Sequence, residues 1–184
     1  MKSRLRQFAL AGAVLFGGVS TMTSVHASDG TVTFTGTISA QTCQVDTSTK
    51  KLSITLPTVS EKALNKDGST AGGQAFTIKL KGCATGQDAK VLASFEPGSD
   101  VDIATGYLKN SDSATDGGAE NVQLQLRGAD ANVIKVGDPS SITPTTIEDD
   151  GSANLHYSAN YIAVGGAAIA GNVASHVTWT LNYE

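Results

Sequence analysis

The chain has 184 residues, 13 basic and 17 acidic, for a formal net charge of −4, with 5% aromatic residues and two cysteines. Its length is one domain's worth, and its charges are scattered apart from Glu148-Asp149-Asp150. That distribution excludes a basic track for nucleic acid and a polybasic membrane patch, and an acidic surface mainly keeps the molecule soluble.

Residues 1–27 predict a cleaved secretory signal. Lys2, Arg4 and Arg6 give a positive start, residues 8–19 are apolar, and Val25-His26-Ala27 ends on a small residue. The apolar run is too short to span a bilayer, and Gly12, Gly17 and Gly18 argue against a buried helix. Cleavage after Ala27, within a residue or two, leaves a mature chain from Ser28 to Glu184. Removing three of the 13 basic residues and none of the 17 acidic ones makes its net charge −7.

The mature chain opens on G-T-V-T-F-T-G-T-I, residues 30–38. Gly30, Val32, Phe34, Gly36 and Ile38 share one face and four threonines share the other, which is the period-two pattern of a strand. So regular a strand so near a chain end needs a sheet to join. Cys43 and Cys83 form an even pair in an exported chain and predict one disulfide. Closing a loop of roughly 40 residues, it stabilises by roughly 4 kcal/mol on the chain-entropy account.

Further along, Leu52, Ile54 and Leu56 alternate with polar residues until Pro57. Residues 58–73 are polar, with a possible helical turn at 61–64. Phe76, Ile78 and Leu80 predict a strand ending at Gly82-Cys83, and residues 91–95 another, closed by Pro97-Gly98. Val101, Ile103 and Tyr107 hint at a short strand, and residues 110–118 read as a flexible loop. Val122, Leu124 and Leu126 predict a half-buried strand with 133–136 as its hairpin partner, and 139–151 reads as loop. Leu155, Tyr157, Ala159, Tyr161 and Ala163 share one face. Val173, Ser175, Val177, Trp179, Leu181 and Tyr183 line the last strand's odd face. Short alternating strands with Gly-rich turns predict an antiparallel β-sandwich.

Together these residues resemble the pilin subunits of chaperone–usher fimbriae, close to the type 1 fimbrial major subunit family. The resemblance rests on G-T-V-T-F-T-G-T-I ahead of Cys43 and A-F-T-I-K-L-K-G-C ending on Cys83. It also rests on A-N-Y-I-A-V-G-G, and on H-V-T-W-T-L-N-Y-E with Gly171 fourteenth from the end. It implies an incomplete immunoglobulin-like β-sandwich lacking its last strand, with an N-terminal donor-strand extension. The expected layout is a signal peptide at 1–27, the extension at 28–36 and the pilin domain at 37–184. The resemblance also implies a groove beside the C-terminal strand at Gly171, Val177, Trp179, Leu181 and Tyr183, filled first by a periplasmic chaperone. At an outer-membrane usher the chaperone gives way to Gly30, Val32, Phe34 and Gly36 of the next subunit. Only Ser28 and Asp29 precede Gly30, whereas many members carry a longer extension. Either Gly30 or Gly36 matches the small residue used inside the donor strand.

The expected function is that of a structural subunit of an extracellular fimbrium on the bacterial surface. It would be exported through the periplasm and polymerise with identical or related pilins in the rod used for cell adhesion. The alternative is a minor or tip subunit, or a secreted carbohydrate-binding sandwich; 157 mature residues leave no room for an extra lectin domain. No enzyme is expected, because no G-x-S-x-G element accompanies the histidines His156 and His176, which fall on outward faces. No metal, no cofactor, no nucleic acid and no membrane insertion are expected; Glu148-Asp149-Asp150 lacks a calcium ligand ladder.

Overall fold

The computed structural model describes residues 32–36, 38, 43–112 and 114–184. The chain divides into two units, Met1–Thr37 and Ile38–Glu184. Among the described residues of the first, 32–36 belong to no strand. Gly30 lies outside the described residues.

The second unit is a β-sandwich of ten strands among the described residues. They are β1 (Gln44–Val45), β2 (Thr70–Lys81), β3 (Lys90–Phe95), β4 (Val101–Asp102) and β5 (Tyr107–Lys109), then β6 (Val122–Gly128), β7 (Val133–Ile134), β8 (Thr145–Thr146), β9 (Ala153–Ala163) and β10 (Trp179–Tyr183). The larger sheet runs β1-β2-β9-β6-β5-β4, with β7 paired to β6; the smaller runs β10-β3-β8. Every strand pairing is antiparallel.

Alternation explains the core. Ile78 and Leu80 of β2, Leu155 and Tyr157 of β9, and Leu124 and Leu126 of β6 meet Val91, Ala93 and Phe95 of β3 in one cluster. Each fully buried aliphatic side chain contributes on the order of 1.5–3 kcal/mol. Phe95 meets the Tyr157 ring edge-on at 5.1 Å, and the Tyr157 hydroxyl accepts from Ala93 N–H at 3.1 Å, so the sheets are joined by a polar bond as well as by packing.

The structure differs from the sequence reading in four places. β2 starts at Thr70, inside the stretch read as polar loop, because a bulge between Ala71 and Gln74 keeps it paired to β9. Gly72 supplies the positive φ of 68° there, where a side chain would meet the Tyr161 ring. Residues 139–151 contain β8 and a one-turn helix, Pro139–Ser141, neither of which alternation could show in so few residues. The stretch 110–118 includes a turn of 3-10 helix, Ala114–Asp116, and is held by several hydrogen bonds rather than free. Finally, 51–59 and 173–177 are extended but join no ladder.

Candidate functional site

Those two unpaired segments define the site. Among the described residues, no main-chain group of 51–59 makes a backbone–backbone hydrogen bond, although Ile54, Leu56 and Val59 are half-buried. The opposite wall is 173–183. Its odd residues Val173, Ser175, Val177, Trp179, Leu181 and Tyr183 are half-buried, and its even residues are exposed.

Hydrogen bonding follows the same parity. Glu184 exchanges two bonds with Lys90, both 3.0 Å, and Glu96 N–H donates to Thr178 C=O at 2.8 Å. With Thr180 opposite Ser94 and Asn182 opposite Leu92, the even residues bond β3, as antiparallel alternation requires. The N–H and C=O groups of Trp179, Leu181 and Tyr183 therefore face the other way, along an edge with no neighbour in the smaller sheet among the described residues. One row of residues thus offers both open main-chain edge and incompletely covered apolar side chains. Unpaired edge of this kind invites another strand.

Two features mark the ends of the C-terminal wall. At one end a cleft of about 310 Å³ is lined by Thr58 and Val59 on one side and by Gly171, Asn172 and Val173 on the other. At the other end, Cys43 N–H donates to the Tyr183 hydroxyl at 2.8 Å. Cys43 is bonded to Cys83, which anchors this corner to the end of β2. Within the row, the Ser175 hydroxyl is buried without a hydrogen-bond partner.

The residues singled out from sequence fall as follows. Val177, Trp179, Leu181 and Tyr183 share the groove-facing parity and pack against the core. Gly171 lines the cleft, but its own constraint lies elsewhere. A Cβ there would sit 2.4 Å from Ala119 N and 2.5 Å from Gly118 C, so only glycine permits this approach of two backbones. Val32 is 76% exposed and Phe34 89% exposed; a Cβ on Gly36 would meet nothing within 4 Å. Ile38, left out of the sequence-level site, continues their face and is fully exposed. His156 is exposed with Thr77 Oγ1 3.0 Å from its Nδ1, whereas His176, expected to face only solvent, places Nδ1 2.7 Å from Asp100 Oδ2.

Two contributors were not legible in sequence, the side chains of Asp100 and Asn110, and 51–59 was legible as an alternating apolar segment but not as a wall of the groove. No helix among the described residues is long and apolar enough to cross a membrane.

A β-sandwich whose C-terminal strand has an open edge among the described residues is the incomplete immunoglobulin-like fold of pilin subunits. The crystal structure of the P pilus rod subunit PapA has this fold. It aligns with a TM-score of 0.58 at 21% identity, over 77% of this chain and 99% of that one. Residues 56–184 match the model of the family described as "FimA: Type-1 fimbrial protein, A". The chain is 41% identical over 163 residues to the F17 fimbrial protein of Escherichia coli, covering 85% of this chain and 88% of the relative. It is 40% identical over 168 residues to the major fimbrial subunit SMF-1 of Stenotrophomonas maltophilia, covering 88% and 96%. The chain belongs to the type 1 fimbrial protein family. It is a structural fimbrial subunit that polymerises with other pilins into surface fimbriae, and it is not an enzyme.

Proposed function

We propose that the chain builds the rod of a chaperone–usher fimbria by donor-strand exchange. The segment carrying Gly30, Val32, Phe34 and Gly36 of one copy fills the groove between 51–59 and 173–183 of the next. The observation that carries this reading is a parity match within one chain. Alternate residues of 173–183 present free main-chain groups and half-buried apolar side chains. Val32, Phe34 and Ile38 are exposed apolar residues that recur at even positions of the sequence. Strand addition gives main-chain hydrogen bonds along the edge, while alternate side chains fill pockets and fix register. Burying Val32 and Phe34 adds on the order of 1.5–3 kcal/mol each.

Before assembly a periplasmic chaperone covers the same edge, and an outer-membrane usher is where one strand replaces the other. Residues 1–27 direct export, and the body proper begins at residue 37. The 40% identity to a major subunit over nearly its whole length favours the rod over the minor or tip position.

Phe34→Asp tests the proposal. The variant is expected to co-purify with the chaperone from the periplasm but to give no fibres by electron microscopy, because its donor face fails while its groove is intact. Normal rods from Phe34→Asp would remove the donor assignment. Fibres persisting after deletion of this subunit would place it at a minor position.

A further inference from the structure

We infer that Asp100 and Asn110 are positioning residues of the acceptor edge. Their side chains stand in for a strand where β3 stops, and hold residues 173–178 extended with the odd-numbered amides free. The inference rests on the donor-strand reading above and names what prepares the first half of that edge.

β3 covers only the second half. Trp179 lies opposite Phe95, and the last contact of the ladder is Glu96 N–H to Thr178 C=O. The next residue, Pro97, would lie opposite Val177 in a pair whose main-chain groups point away from each other, so the next bond would fall to Gly98. Gly98, which would face His176 if the ladder continued, already accepts from Val101 N–H at 3.1 Å. Left there, the inward-facing main chain of 174 and 176 would have no partner.

The missing bonds come from the β4–β5 hairpin at the end of the larger sheet. Asp100 Oδ2 accepts from His176 N–H at 3.2 Å and lies 2.7 Å from the His176 ring Nδ1. The Asp100 side chain is only 12% exposed, and its second oxygen accepts from Ser99 Oγ at 3.1 Å, so the carboxylate is fixed. Lys109 N–H donates to Asp100 C=O at 2.6 Å, which sets Asp100 next to the start of the 110–118 segment.

Asn110 completes the substitute strand. Its Oδ1 accepts from Ala174 N–H at 2.9 Å, and its Nδ2 donates to the carbonyls of Asn172 at 2.9 Å and Ala119 at 3.0 Å. Ser111 N–H donates to Ala174 C=O at 2.8 Å. Ala174, His176 and Thr178 are therefore bonded inward in sequence, as a strand's even residues would be. Val173, Ser175 and Val177 are left facing the groove. An edge already ordered loses less conformational freedom when a donor arrives.

The test uses the full-length chain as wild type, Asp100→Ala, Asp100→Asn and Asn110→Ala. Two readouts are taken: capture of a fluorescent synthetic peptide of residues 28–42, and amide hydrogen exchange. Asp100→Ala and Asn110→Ala are expected to bind the peptide about tenfold more weakly, the effect of losing one well-placed hydrogen bond to a polar or charged group. Asp100→Asn keeps an accepting oxygen and is expected within about threefold of wild type. Exchange at Ala174 and His176 should quicken about tenfold in the corresponding alanine variant while Thr180 and Asn182 are unchanged. Wild-type capture and exchange in both alanine variants overturns the inference. So does equal quickening at Thr180 and Asn182, which marks general loosening. Failure of wild type to capture the peptide counts against donor-strand exchange instead, and the exchange pattern alone then decides the role of the two side chains.

Discussion

The hydroxyl of Tyr183 accepts a hydrogen bond at 2.8 Å from the main-chain N–H of Cys43, 140 positions earlier in the chain. The next-to-last residue is thereby tied to the half-cystine that opens the folded body, and the groove is closed at that corner. Tyr183→Phe keeps the ring and leaves a half-buried N–H without a partner, at a cost of about 1 kcal/mol. For a chain of this length that lowers the thermal midpoint by about 2–4 °C. An unchanged midpoint would show that the bond carries no net stability.

The cystine itself carries more. Cys43→Ser should lose about 2–5 kcal/mol, read as a lower denaturant midpoint and a lower periplasmic yield. Equal stability of the oxidised wild type and the serine variant would contradict this.

Gly171 and Gly36 make opposite predictions. At Gly171 an added methyl would press on the main chain of Gly118 and Ala119, which cannot rotate away as a side chain can. Gly171→Ala should cost about 1–3 kcal/mol and widen the cleft. Gly36→Ala meets nothing within 4 Å in the isolated chain and should leave its unfolding midpoint in place. Any defect it causes should appear only as slower fibre growth. A stability loss in Gly36→Ala alone would reverse these assignments.

Asp46 predicts an acid-limb effect. The Ser48 hydroxyl at 2.7 Å, the Ser48 N–H at 2.9 Å and the nearby Lys81 ammonium lower its pKa from 3.8 to about 2. Because the folded value lies below the unfolded one, its stabilising contribution is complete above about pH 4 and fades as pH falls toward 2. Asp46→Asn should flatten the stability profile in that window and lower stability at neutral pH, where the ionised carboxylate contributes in full. A carboxyl titrating near 3.8 by NMR would refute the assignment.

Alternation over five residues or more made the central strands legible, but it also marked 32–36 and 52–56, which join no strand. Val122 to Leu126, Phe76 to Leu80 and Leu155 to Ala163 each announced a strand because alternate apolar residues turn to the core, although Gln125, Asn160 and Ile162 on the opposite faces are buried as well. β8 and β4 have two residues each, too few for any period, and β2 reached back to Thr70 through a bulge that interrupts the pattern. At the site, the apolar row ending in Tyr183 could be read directly, because its side chains obey parity. What could not be read was which main-chain groups lack partners, since every residue carries the same amide. The contribution of Asp100 and Asn110 was hidden for a similar reason. A carboxylate and an amide in loops look like ordinary solvated residues until the main chain they bond is in view.

The cystine has a mechanical consequence. In a fibre linked through N-terminal segments, tension enters each subunit just ahead of Cys43. From there it has two covalent routes, the peptide bond into β1 and the sulfur bridge to Cys83 at the foot of β2. The wall at 51–59 lies inside the loop that the bridge closes. A donor strand seated against that wall would load it directly, and the bridge keeps the two ends of the loop that carries it fixed to each other under tension.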